Sequence, residues 1–330
     1  MIKGFELCQR FFWEVGHPVL EKELPECLPH LAVGLAGGSQ SHGYDDEISR
    51  DHSWGPGFTI FLVESDYEQF GQPLQVILDQ LPREFMGYRW QSYQEHTCGV
   101  IEIGQCIKSF VGCETPPEDP LGWLHMPEEY LFEVTPKRLF HDAPGRVTER
   151  FEAFANYPED VWKQRLRACI GWVSEWGEKH LPRAEQRGDN VPTLTYACMF
   201  ATYVMKSVFL LNRRYAPYHK WLHREFLTLP YLAPDIAPLL TKVLEEPQGK
   251  TAWANKIVDQ FVRALEQLGY KPEIRTAEEE RRVAYHTRLF DYRPSIRDSI
   301  EHPVIKELPS FLEMQQPVWK ATWTWVRHST

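Results

Sequence analysis

One stretch, residues 31–62, limits what this chain can fold into more than any other part of the sequence. It begins and ends with short apolar runs, at 31–36 and 58–62, that are typical of β-strands. Between them lie Gly37, Gly38 and Ser39, and then a loop rich in acidic and polar residues. Glycines let the backbone come close to a phosphate, and consecutive N–H groups can form a concavity that binds an anion. The pattern therefore predicts two strands joined through a phosphate-binding turn.

The carboxylates in this stretch are candidate metal ligands, because Mg²⁺ prefers oxygen ligands and bridges phosphate oxygens. Asp51 lies twelve positions after Ser39 and just before the second strand. There it would either hold a metal over a triphosphate or cap a turn as a solvated aspartate. Asp45, Asp46 and Glu47 are expected to form a solvated acidic loop, although one of them is available to join the metal.

A third strand is predicted at residues 98–103, and it carries Glu102 between two isoleucines. Carboxylates are rarely buried unless they are paired or bound to a metal. Glu102 therefore either faces solvent from an edge strand or joins Asp51 at a metal site.

The order of the predicted elements divides the chain into two domains. Helical spacing is present before residue 30, and strand character is confined to the part before residue 145, where 135–145 is predicted to be turn-rich. Further helices are predicted at 67–81, 121–132, 159–178, 192–214, 236–244 and 251–268, with a polar loop at 183–190. We expect an α+β fold, with a small mixed sheet and flanking helices in residues 1–150 and an all-α helical bundle in residues 151–330.

The composition is that of a soluble globular protein, with 43% hydrophobic and 25% charged residues. The seven cysteines form no CxxC pair, and the first residues lack the apolar core of a signal peptide. Reduced thiols in the cytoplasm are therefore expected. The apolar run at 194–211 contains Lys206, so we expect a buried helix and no membrane span. The formal net charge of -10 argues against long nucleic acid as a partner.

The helical half offers a second group of candidate nucleotide contacts. Lys206 lies within an apolar helix, where its side chain would either extend to the surface or reach a phosphate. The run at 212–221 contains Arg214, Tyr218 and Lys220. Such a run is equally typical of a surface for a base and phosphates and of a helix C-terminus with cations matched to its dipole.

Several motifs between residues 30 and 230 occur together in a known family. Gly38-Ser39 and Ser49-Arg50-Asp51-His52 come first, and the later motifs lie at 123–128, 140–142, 157–162 and 213–221. In this combination the sequence resembles a bacterial family, domain of unknown function 4037, of the DNA polymerase beta-like nucleotidyltransferase superfamily.

The resemblance implies a nucleotidyltransferase-type sheet domain followed by helices. It also implies ATP or another nucleoside triphosphate as substrate and Mg²⁺ as cofactor. Gly38 and Ser39 would contact the triphosphate and Asp51 would hold Mg²⁺. Glu102 would be the third carboxylate and the residue nearest to the role of base.

One position departs from the family pattern, which has a second aspartate where this chain has Ser53. A serine hydroxyl is a far weaker Mg²⁺ ligand than a carboxylate, so its presence should impair catalysis. Three explanations fit: an engineered inactive variant, a naturally degenerate nucleotide binder, or recruitment of Asp45, Asp46 or Glu47.

Together these observations predict a cytoplasmic, Mg²⁺-dependent nucleotidyltransferase-like protein. It would transfer a nucleoside monophosphate to a hydroxyl acceptor, with Lys206, Arg214, Tyr218 and Lys220 contacting the nucleotide from the helical half. The alternatives are a non-catalytic nucleotide sensor and a toxin–antitoxin-type enzyme that transfers AMP to a partner protein. The acidic charge favours a small molecule or a protein over long nucleic acid as the acceptor.

Overall fold

The computed structural model describes residues 2–51, 54–90, 98–274 and 287–309. The chain divides into two compact units, of which the first comprises Met1–Pro116 and Tyr130–Ala155 and the second comprises Pro117–Glu129 and Asn156–Thr330. All of the described strands lie in the first unit, and the described part of the second contains helices without strands. The predicted α+β class is confirmed. The main boundary falls a few residues after the predicted one, and the segment 117–129 belongs with the helical unit.

The sheet of the first unit is small and mixed, as predicted. The described strands are β1 (Ala32–Gly34), β2 (Thr59–Leu62), β3 (Glu84–Phe85), β4 (Tyr88–Arg89), β5 (Gly99–Glu102) and β6 (Leu139–Asp142). Four of them form one sheet in the order β5–β2–β1–β6, and β3 pairs with β4 in a hairpin. β1 is antiparallel to both of its neighbours, whereas β2 and β5 are parallel. The end of β1 therefore lies beside the starts of β2 and β5.

The helices flank this sheet in the first unit and form the whole of the described second unit. In chain order they are α1 (Gly4–Phe11), α2 (His17–Glu23), α3 (Glu64–Leu78), α4 (Ile103–Val111), α5 (Pro120–Trp123), α6 (Glu128–Glu133), α7 (Arg146–Glu152), α8 (Glu159–Val173), α9 (Leu181–Arg187), α10 (Asn190–Leu211), α11 (His219–Phe226), α12 (Ala233–Glu245), α13 (Lys250–Gln267), α14 (Arg293–Asp298) and α15 (Pro303–Glu307). Wider, π-helical turns at Phe12–Gly16 and Ser174–His180 connect α1 with α2 and α8 with α9.

Each unit has its own apolar core. In the first unit the aromatic residues of α1 and of the π-helical turn after it pack on β2 and its flanks, and the rings of Phe12 and Phe58 lie 5.2 Å apart. In the second unit α8 and α10 both contribute residues to one apolar core. There the indole of Trp162 donates to the carbonyl of Leu210 at 2.7 Å, which satisfies a carbonyl at the end of α10.

Three predicted segments are corrected. The stretch 135–145 contains the edge strand β6, because its backbone pairs with β1. The stretch 183–190, predicted as a loop, begins inside α9, whose residues Leu181 and Ala184 are buried and which ends at Gly188 with a φ of 67°. The stretch 121–132 forms two short helices instead of one, because Pro127 disfavours helical geometry at the preceding residue.

Among the described residues one helix, α10, is long and apolar enough to cross a membrane by length and composition alone. Its buried residues, which include Phe200, Val204 and Val208, belong to the core of the second unit. The burial of these residues agrees with the predicted buried helix.

Candidate functional site

Residues 37–39, which we call the glycine–serine turn, follow directly after β1. Gly38 has a φ of 88°, a conformation that glycine adopts without strain. A short 3₁₀ helix, Ser39–His42, comes next and is closed by Gly43. The amide of Tyr44 donates to the carbonyl of Ser39 at 2.9 Å, so the chain doubles back after the turn.

The outer side of the glycine–serine turn is open. Around Gly37 and Gly38, no described atom would lie within 4 Å of an added Cβ. Their amides donate to no backbone group in the described part of the chain. Ser41, by contrast, points inward and donates its hydroxyl to the carbonyl of Gly38 at 2.7 Å. The turn therefore leaves the N–H groups of Gly37 and Gly38 without a backbone acceptor in the described chain, and free N–H groups of this kind can bind an anion.

The loop with the predicted metal ligand approaches the same end of the sheet. Its short helix, Ile48–Asp51, leads towards β2, whose first residue Thr59 is paired with Gly34 at the end of β1. The side chain of Asp51 and the whole of Ser53 lie outside the described residues. The glycine–serine turn and this loop thus belong to one connection, which runs from the end of β1 to the start of β2.

The acidic loop is only partly solvated, which corrects the prediction for Asp45. Its side chain is buried, and Oδ2 accepts hydrogen bonds from the amide of Gly4 at 2.7 Å and the indole of Trp54 at 3.0 Å. Asp46 is exposed and caps a turn through the amide of Ser49 at 2.9 Å. Asp45 therefore anchors the start of α1 instead of facing a solvated metal.

Glu102 lies at the other end of the sheet. It is paired with Leu62 at the end of β2, whereas the glycine–serine turn follows the end of β1 that lies beside Thr59. Its carboxylate accepts hydrogen bonds from the amides of Gly104 at 2.7 Å and Gln105 at 2.6 Å, so it caps α4. This geometry does not favour Glu102 as a ligand of a metal at the turn.

No group of three or more metal-ligating histidine, cysteine or acidic side chains occurs among the residues that the structure describes. The described acidic candidates do not assemble a Mg²⁺ site, because Asp45 and Glu102 both use their carboxylates for structural hydrogen bonds. The Mg²⁺ prediction therefore depends on Asp51.

In the second unit, Lys206 lies on α10 with its Nζ 4.0 Å from Oε2 of Glu128. Burial raises the pKa of the Glu128 carboxyl, although the charges of Lys206 and Arg165 act in the opposite direction. Lys206 therefore compensates a buried carboxylate, a role that the sequence did not reveal.

The remaining predicted contacts, Arg214, Tyr218 and Lys220, lie at or near the start of α11. Arg214 is 2.6 Å from the carboxylate of Glu225. Tyr218 is half exposed, and the Nζ of Lys220 lies 4.8 Å from the ring centre of Trp221. The assignment of these three residues as nucleotide contacts stays a prediction.

Sequence reasoning missed three residues around the glycine–serine turn: His42, Glu133 and Arg138. Arg138 is fully buried and bonds to both the carbonyl of Ala36 and the carboxylate of Glu133. Its position after Pro136 and Lys137 resembles an ordinary polar turn in the sequence. The one signal that the sequence offers is the charge of Arg138 next to the apolar pair at 139–140.

Residues 123–222 match the family described as Domain of unknown function (DUF4037). The chain is similar to the crystal structure, at 1.90 Å resolution, of a nucleotidyltransferase-like protein from Exiguobacterium sibiricum 255-15. The similarity covers 75% of this chain and 73% of that chain, with 7% identity and a TM-score of 0.34. No curated protein matches the sequence. The family predicted from the motifs is therefore the one whose model matches, over residues 123–222 of this chain.

Proposed function

We propose that the first unit binds a nucleoside triphosphate on the glycine–serine turn, and that the protein transfers a nucleoside monophosphate from it to a hydroxyl acceptor. The observation that carries this proposal is the open backbone at Gly37 and Gly38, at the end of the sheet where the Asp51 loop approaches β2. A triphosphate needs several N–H donors and little steric obstruction, and this turn offers both.

In the proposed reaction an acceptor oxygen attacks the α-phosphorus in line with the oxygen that bridges to the β-phosphorus. A new P–O bond forms as the bridging P–O bond breaks. Pyrophosphate leaves with the electron pair, and the acceptor's proton passes to water or to a base. Catalysis of such a step consists mainly of positioning and of neutralising charge, which is what the turn and its approach loop would supply.

Asp51 is the residue that we propose to hold Mg²⁺, because its loop approaches the turn's end of the sheet. When bound, the metal would neutralise phosphate charge. Ser53 offers only a hydroxyl at the position where the family pattern has a second carboxylate, so metal binding should be weak. We do not include Glu102, since its carboxylate caps α4.

Ser53 also favours a second function, that of a nucleotide sensor which binds a triphosphate without turning it over. Transfer of AMP to a partner protein is a special case of the first function. The net charge of -10 agrees with a small-molecule or protein acceptor.

The test compares the wild-type protein with Asp51→Asn and Ser53→Asp. We would measure binding of ATP and GTP by calorimetry, with and without Mg²⁺, and then the release of pyrophosphate. We expect the wild type to bind, Asp51→Asn to lose the contribution of Mg²⁺, and Ser53→Asp to release pyrophosphate faster than the wild type. Binding without any gain of turnover in Ser53→Asp would favour the sensor. Failure of all three proteins to bind a triphosphate would refute both functions.

A further inference from the structure

We propose that Glu133 and Arg138 are positioning residues that hold the glycine–serine turn in the conformation a triphosphate would meet. This role rests on the function proposed above. All the residues concerned lie in the first unit. The two side chains reach the turn from both sides, through Ala36 before it and His42 after it. We call the contacts among these four residues the turn brace.

Arg138 secures the chain that leads into the turn. Its guanidinium is fully buried and donates to the carbonyl of Ala36 at 2.7 Å. Its own backbone carbonyl accepts the amide of Leu35 at 3.0 Å. A side chain at Gly34 would collide with this same carbonyl, so β1 and Arg138 are in direct backbone contact. The position of Ala36, the residue before Gly37, is therefore fixed by a buried cation.

His42 secures the chain that leaves the turn. It is the last residue of the 3₁₀ helix that begins at Ser39. Its Nε2 lies 2.9 Å from Oε1 of Glu133, and only 5% of its side chain is exposed. The imidazole also packs against Phe132, with ring centres 5.0 Å apart. An imidazole held in this way leaves the short helix little freedom to move.

Glu133 joins the two halves of the turn brace, because each of its carboxylate oxygens serves one of them. Oε1 faces His42, and Oε2 lies 2.7 Å from Nη2 of Arg138. Burial alone would raise the pKa of this carboxyl, but the hydrogen bonds and charges of His42 and Arg138 outweigh burial and lower it. Glu133 is therefore ionised at neutral pH, and hydrogen bonds to an ionised group are shorter and stronger than neutral ones.

The turn brace explains how an open turn is kept in one shape. The amides of Gly37 and Gly38 have no backbone partner in the described chain that would fix them from outside. A turn that is already ordered loses less conformational entropy when a ligand binds. Removal of the turn brace should therefore weaken triphosphate binding, although none of its side chains needs to touch the phosphates.

The experiment compares two substitutions of one residue. His42→Leu keeps an apolar side chain against Phe132 but has no donor for Glu133, whereas His42→Gln keeps an N–H donor. Glu133→Gln is the second disrupting variant, should His42→Leu fail to fold. The first readout is amide hydrogen exchange over residues 36–44 without nucleotide, with α13 as an internal reference. The second is the Kd for ATP and GTP with Mg²⁺.

We expect His42→Leu to exchange about tenfold faster at 36–44, with α13 unchanged, and to raise the Kd about tenfold, as for the loss of a hydrogen bond to a charged group. His42→Gln should stay close to the wild type both in its exchange rate at 36–44 and in its Kd. Equal acceleration throughout the chain, or an unchanged rate at 36–44, would overturn the turn brace. An unchanged Kd with faster exchange would overturn its role in binding. A wild-type protein that binds no triphosphate refutes the proposed function, and the exchange data alone then decide whether the brace holds the turn.

Discussion

The carboxylate of Glu102 lies 2.7 Å from the amide nitrogen of Gly104 and accepts its hydrogen bond. A second bond, from the amide of Gln105, completes the cap of α4. The same residue is the third carboxylate that the family resemblance implies. Glu102 caps α4 and lies beside Leu62, at the end of the sheet away from the glycine–serine turn. Both observations favour a structural role over a catalytic one.

The cap gives the first prediction. Glu102→Ala should lower the free energy of unfolding by about 1 kcal/mol, as for loss of an N-cap. The Kd for triphosphate should not change. Urea denaturation followed by circular dichroism measures the first quantity and calorimetry the second. Unaltered stability combined with a loss of metal-dependent binding would show that Glu102 is a metal ligand after all.

Asp45 provides the second prediction, because its buried carboxylate receives the amide of Gly4 and the indole of Trp54. Asp45→Ala should lower the free energy of unfolding of the first unit by about 3 kcal/mol, since it leaves buried donors without their charged acceptor. Glu47→Ala, at an exposed position of the same loop, is the matched control and should change it by less than about 0.5 kcal/mol. Equal effects of the two substitutions in urea denaturation would contradict the anchoring role.

How far the sequence predicts the fold depends on the distance between interacting residues. The strands β1, β2 and β5 are short apolar runs next to glycines, so local pattern suffices to find them. β6 is half polar, and only its pairing with β1 makes it a strand. The burial of Asp45 had no local signal, since its partners Gly4 and Trp54 are 41 and 9 positions away.

The same distinction between local pattern and contacts across long stretches of sequence applies to the candidate site. Two adjacent glycines and a serine after a strand predict an open turn, and the structure has one. The turn brace was not predicted, because Arg138 contacts Ala36 across 102 residues of sequence. Likewise, nothing local to Lys206 indicates that it lies near Glu128, which belongs to another helix.

The third prediction concerns pH and the buried carboxyl of Glu128, whose pKa burial raises. A carboxyl whose pKa is higher in the folded than in the unfolded state favours folding when protonated. The stability that it contributes is present below the unfolded pKa of about 4.3 and is lost as pH rises through the folded pKa. The free energy of unfolding of the wild type should therefore fall relative to that of Glu128→Gln as pH increases from about 4 towards neutrality. Denaturation of both proteins across this pH range measures the difference between their free energies of unfolding. The contributions of the other carboxyls are the same in both proteins and cancel in this difference. A difference that is independent of pH would contradict the prediction.

Thiol reactivity gives the fourth prediction. Cys198 is exposed on α10, whereas burial raises the pKa of Cys8 and of Cys169 to about 12. Because the thiolate is the reactive form, a disulfide reagent at pH 8 should modify Cys198 first in the native protein. Cys198→Ser should remove the fast phase of the reaction. A fast phase that persists in this variant would show that another thiol is accessible.

The measurement that tests the central claim most directly is triphosphate binding by two variants of Gly37. Gly37 does not have a positive φ, and no described atom lies within 4 Å of an added Cβ, so Asp and Asn should both fit there. The two side chains have nearly the same shape and differ in charge. If the triphosphate lies on the glycine–serine turn, calorimetry should show that Gly37→Asp weakens binding of ATP or GTP about tenfold or more through charge repulsion, whereas Gly37→Asn stays within about threefold of the wild type. Equal affinities of the Asp and Asn variants would contradict binding at this turn.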